Sequence, residues 1–101
     1  MHVVQLLLPV CDNAKQRFSQ DLYERVSTDL TRQFGGLTAY TRAPAAGLWQ
    51  EGGDAVRNDV VVYEVMAGSL DRDWWRAFRA RVERDFRQDH VIIRAQSSEL
   101  L

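Results

Sequence analysis

The stretch "DVVVYEVM", Asp59–Met66, decides the fold. Its β-branched and aromatic residues mark a strand, and its nearly unbroken apolar character places that strand inside a sheet. Within the run, Val60, Val62, Glu64 and Met66 alternate with Val61, Tyr63 and Val65, so the glutamate shares one face with two valines and a methionine. Downstream, "AGSLDRD" supplies a turn and a helix cap at Ser69 or Asp71. Trp74, Phe78, Val82 and Phe86 then recur every fourth residue, with Trp75 beside them. Glu83 and Arg87 are spaced for an i,i+4 pair on the polar side. Val91–Ala95 reads as the last strand, followed by the tail "QSSELL".

Upstream, Gly47, Gly52, Gly53 and Pro44 fall between Ala43 and Asn58, which reads as a long hairpin connection. Leu37–Arg42 alternates as a strand, with Thr38, Tyr40 and Arg42 on one side. Gly35–Gly36 stops the helix before it, through the positive φ that glycine adopts without strain. That helix shows Ala14, Phe18, Leu22, Val26, Leu30 and Phe34 at fourfold spacing, with Asp12 or Asn13 as its expected cap. Val3–Val10 is a further apolar strand, expected to be buried on both faces.

The order β-α-β-β-α-β is that of the split-βαβ, ferredoxin-like plan. It is an α+β fold: an antiparallel four-stranded sheet of order 4-1-3-2 with two helices on one face. The length of 101 residues suits a single domain over residues 1–101.

Composition removes several functional classes. With 13 basic and 14 acidic side chains, the net charge is −1, and nothing draws the chain toward nucleic acid or an anionic membrane. "DVVVYEVM" also lacks the glycine-aromatic-basic pattern that RNA-recognition domains of this topology carry. A single cysteine, Cys11, rules out an internal disulfide, and with His2 and His90 as the only histidines no metal site or cofactor is expected. "MHVVQLLLPV" has no basic leader or small-residue cleavage site and reads as a strand, and no apolar run reaches about 20 residues, so a cytoplasmic protein is expected.

The pieces "FGGLTAY", "GLW", "DVVVYEVM", "WW" and "VIIRAQ", spread over Phe34–Gln96, resemble those of a family of small bacterial proteins of uncharacterised function. More broadly, the chain resembles one subunit of the dimeric α/β-barrel superfamily. That resemblance implies pairing of two ferredoxin-like sheets. Members include cofactor-free oxygenases, haem-handling enzymes and isomerases of small aromatic substrates, but none of their catalytic motifs is legible in this chain.

The sheet face turned from the helices is expected to carry Thr38, Tyr40 and Arg42, Val60, Val62, Glu64 and Met66, Ile92 and Arg94, and Val3, Gln5 and Leu7. Such a face is too apolar to leave in water, and a second copy of the chain is its simplest cover. Glu64 is read either as a general base or ligand anchor, or as a salt-bridge partner of Arg42 or Arg94 that sets dimer register. Tyr40 is read as a hydrogen-bond donor to a ligand or a packed cross-strand aromatic. Trp49 is read as a pocket lid or as a pin holding its loop to the domain. One of Trp74 and Trp75 is expected in the core and the other at a cleft. Cys11 lies where a helix start would lower a thiol pKa, without a histidine near it in sequence. The helix residues Arg76, Arg79, Arg81, Arg84 and Arg87 read as a solvated face.

Three functions fit these residues. The first is a homodimeric small-molecule-binding or accessory protein. The second is a cofactor-independent enzyme of oxygenase or isomerase type acting on a small hydrophobic or aromatic compound, with Glu64 and Tyr40 as catalytic candidates and Arg42, Trp49 and Arg94 as ligand contacts. The third is a structural or partner-binding module.

Overall fold

The structure, a computed structural model, describes the backbone of residues 1–51 and 54–101 and their side chains except at 43, 44, 49–51 and 54–57. Six elements follow in the order β1 (His2–Pro9), α1 (Gln20–Phe34), β2 (Thr38–Glu51), β3 (Asp54–Ala67), α2 (Arg72–Asp85) and β4 (Ile92–Ser97). The strands form one antiparallel sheet of order β2-β3-β1-β4, which is the expected 4-1-3-2 order read from the other edge.

Burial follows the pleat. Val4, Leu6 and Leu8 of β1 and Val61, Tyr63, Val65 and Ala67 of β3 point to one side. There they meet Val26 and Leu30 of α1, and Phe78 and Val82 of α2 with Phe86 just beyond it. Both helices therefore lie on one face. The odd-numbered residues of β1 are only half-buried. The near-continuous apolar sequence of β1 thus does not mean cover on both faces. Its second face is the open side of the sheet.

Phe86 is fully buried and takes Phe18 and Tyr23 edge-on at 5.0 and 5.3 Å. The Tyr23 hydroxyl donates to the Pro9 carbonyl at 2.6 Å, tying α1 to the end of β1. A second aromatic cluster joins Phe34 to Trp74 and Trp75, whose indoles also contact Phe78.

The helix boundaries follow their caps. Asp71, one of two candidates, caps α2 by accepting from the Trp74 amide at 3.1 Å. Gly35 ends α1 at φ 81° and donates its N–H to the Thr31 carbonyl at 2.8 Å. The start of α1 differs from expectation. Asp12 caps no helix; its carboxylate accepts from the Ala14 and Gln16 amides, both at 2.9 Å. Those bonds close a tight turn with Lys15 at φ 62°, and the helix starts only at Gln20. Glu83 likewise turns away from Arg87: its carboxylate accepts the Val91 amide at 2.8 Å and anchors the entry to β4.

The expected connection from Ala43 to Asn58 is mostly strand. β2 and β3 stay paired from Ala45↔Val60 out to Glu51↔Asp54, after a register shift between Tyr40 and Ala45. The pairing of β3 with β1 ends at Pro9↔Val60, one further bond runs from the Val10 N–H to the Asp59 carbonyl at 3.1 Å, and beyond it the β2–β3 ladder continues to Glu51↔Asp54. Pro44 and Gly47 did not break β2 because it is an edge strand with an irregularity, the two settings in which a sheet accepts such residues. The expectation that the Trp49 indole packs over the domain falls on a side chain outside the described residues.

Candidate functional site on the open sheet face

Strand register lays the open face out in rows. One row reads Thr38, Glu64, Gln5, Arg94 across β2, β3, β1 and β4. The row on one side of it is Met66, Val3 and Gln96; the row on the other is Tyr40, Val62, Leu7 and Ile92. A polar row thus crosses the sheet between more apolar ones. Tyr40 is 52% exposed and Met66 40% exposed.

Within the polar row, the Gln5 amide nitrogen donates to Glu64 Oε1 at 2.9 Å, and the Gln5 amide oxygen accepts from Arg94 Nε at 3.0 Å. This corrects the expected salt bridge. β1 lies between β3 and β4. Arg94 is therefore two strand spacings from Glu64, roughly 9.6 Å between backbones. Gln5 fills the gap because an amide has a donor end for the carboxylate and an acceptor end for the guanidinium. Arg42 is no closer. It lies four residues beyond Thr38, roughly 13 Å along the strand, in the segment where register shifts. Tyr40 neighbours Glu64 diagonally and is a side-chain donor on this face.

The row of Tyr40, Val62, Leu7 and Ile92 runs on into a cavity of about 360 Å³ at the end of β1. Leu7, Pro9, Val60 and Ile92 contribute its apolar lining. Cys11, Asn13, Asn58 and His90 bring polar groups from three separate segments, and Arg87, Gln88 and Asp89 make the side before β4 polar and charged. The sequence does not bring Cys11 and His90 together; the tertiary fold does. Cys11 is not at a helix start, since it pairs in an isolated bridge with Arg17. His90 Nδ1 stands 3.7 Å from Glu83 Oε2. Glu64, Tyr40, Arg42 and Arg94 do not line this cavity. Among the described residues, no three His, Cys, Asp or Glu side chains gather where they could hold a metal ion, and no helix is long and apolar enough to cross a membrane.

Trp74 and Trp75 divide between two grooves. Trp74 borders a groove between α1 and α2, where Arg81 pairs with Asp29 and lies 5.1 Å over the Phe78 ring. Trp75 borders another groove, between α2 and β4.

These elements define a small ferredoxin-like α+β protein with an open sheet face. No protein-family model matches the chain, and no curated protein matches it in sequence. Its backbone is similar to two solved folds. A phage SAM lyase in complex with S-methyl-5'-thioadenosine superposes with a TM-score of 0.62 at 15% identity, over 95% of this chain and 80% of that one. CutA from Pyrococcus horikoshii superposes with a TM-score of 0.59 at 13% identity, over 100% of this chain and 87% of that one. At such identities the likeness establishes the fold.

Proposed function

We propose that the chain is a single-domain, homodimeric small-molecule-binding or accessory protein of the cytoplasm, which pairs through its open sheet face and takes its ligand at the end of that face. One observation carries this reading: a cavity of about 360 Å³ continues the row of Val62, Leu7 and Ile92 and gathers polar groups from three segments. A cavity of this size suits a small molecule, and its Arg87, Asp89 and His90 side favours a polar or charged group on one end with an apolar part against Leu7, Val60 and Ile92. The exposure of Tyr40 and Met66 beside half-buried Val62, Leu7 and Ile92 supports a second copy as the cover. The resemblance to dimeric α/β-barrel subunits points the same way.

The polar row adds a rule for the pairing. It carries a carboxylate near one end and a guanidinium at the other. Two copies facing each other about a two-fold axis parallel to the strands at Gln5 would set Glu64 against the partner's Arg94. An axis along the row would set like charges together. Complementarity favours the first.

A catalytic role is the second reading. The similar phage protein is described as a lyase holding a small nucleoside thioether, and Glu64 with Tyr40 would be the acid–base candidates. Their separation from the cavity lining favours binding over catalysis.

Cys11 makes the ligand claim testable, because it is the only thiol in the chain and borders the cavity. A thermal-shift screen across metabolite classes selects ligands that stabilise the folded chain. A hit should slow alkylation of Cys11 and lose its effect in Ile92→Trp, which fills the cavity. A stabilising ligand that leaves both unchanged binds elsewhere and contradicts the assignment.

A further inference from the structure

We propose a second ligand site, for a small aromatic or apolar molecule carrying a phosphate or a similar anionic group, in the groove between α2 and β4. Its volume is about 360 Å³. Arg72, Arg76 and Arg79 line it from α2, and Arg94 borders it from β4. The three helix arginines are spaced i, i+4 and i+7, which puts them on one side of the helix. Trp75, Leu70 and Ile93 form an apolar floor beneath them.

Charge distinguishes this groove from its neighbour. The chain as a whole has one more acid than base, yet every ionisable side chain lining this groove is an arginine. Arg76 pairs with Asp73 at 3.1 Å, outside the lining and with both side chains largely in water. Arg72 and Arg79 have no hydrogen-bond or ion-pair partner among the described residues. Arg94 meets the groove at its β4 edge while its Nε donates to Gln5 on the open sheet face, so the anion falls to the three helix arginines. In the groove between α1 and α2, by contrast, Asp29 already pairs with Arg81. Guanidinium groups suit an anion because their forked N–H donors match its oxygens, and they hold it best beside a low-dielectric surface. The indole floor adds affinity for an aromatic body. A volume of this size suits a small molecule.

Calorimetric titration of phenyl phosphate into the full chain at low salt tests the site. The wild type should bind it saturably, and more tightly than inorganic phosphate or benzyl alcohol, each of which offers half of the recognition. Arg72→Ala/Arg79→Ala should raise Kd about tenfold, the loss expected of a charge-assisted contact. Arg32→Ala/Arg84→Ala, which removes equal charge from the other groove, should leave Kd within about twofold. Circular dichroism melting checks that both pairs fold. Arg79→Ala alone, an exposed mid-helix change, should give a smaller rise if the first pair is unstable. Equal weakening in both pairs would show diffuse charge attraction and overturn the site. No saturable binding, or inorganic phosphate binding as tightly as phenyl phosphate, would overturn it too.

Discussion

The side chain of Gln5 holds the Glu64 carboxylate at 2.9 Å, from the strand directly beside it. The same amide accepts from Arg94 on its other side, so a single neutral residue links two opposite charges across three strands. Gln5→Ala should therefore leave both charges without their amide partner. We expect a loss of about 1 kcal/mol in chemical denaturation, the net size of a hydrogen bond to a charged group discounted for partial exposure. Glu64→Gln, which keeps an acceptor for Gln5, should cost less. A neutral Gln5→Ala would show that the row contributes no stability.

Gly35 and Gly36 should respond differently to alanine. Only Gly35 sits at positive φ, and a Cβ would meet nothing within 4 Å at either position. The difference is therefore one of backbone strain rather than of space. Gly35→Ala should cost about 1 kcal/mol and Gly36→Ala should be close to neutral or slightly stabilising, because alanine restricts the unfolded chain. Thermal melts of the two variants make the comparison, and equal midpoints would remove the cap from the account.

Tyr23 should titrate late. Burial, and then the neighbourhood of the Tyr63 and Cys11 side chains, pushes its phenol from 10.0 up to about 12. The folded chain thus keeps a proton that the unfolded chain releases above pH 10. The contribution of Tyr23 to stability is complete below pH 10 and is lost as the pH rises through about 12. Absorbance of the phenolate should show a late phase that Tyr23→Phe removes. The variant should also lose less stability between neutral pH and pH 11 than the wild type.

What could be read from the sequence was what local chemistry decides alone. The alternation of β3 fixes which side Glu64 faces, and the fourfold spacing of Trp74, Phe78 and Val82 fixes the buried side of α2. Asp12 was ambiguous because a carboxylate can cap a helix or close a turn with the same type of bond. Pro44 and Gly47 signal a break in most settings, and their tolerance in β2 depends on its being an irregular edge strand, a tertiary property. The link from Glu64 through Gln5 to Arg94 needs strand order and register together. The placing of Cys11 and His90 around one cavity needs the whole chain to be folded.

Sedimentation equilibrium at micromolar concentration tests the central claim, that the open sheet face is where two copies meet. The wild type should sediment at twice the 11.6 kDa chain mass. Glu64→Arg should shift it toward monomer by placing like charges together, and Glu64→Arg/Arg94→Glu should restore the dimer by exchanging the two ends of the row. A wild-type mass of 11.6 kDa, or the same dimer mass in all three proteins, would contradict pairing through this face.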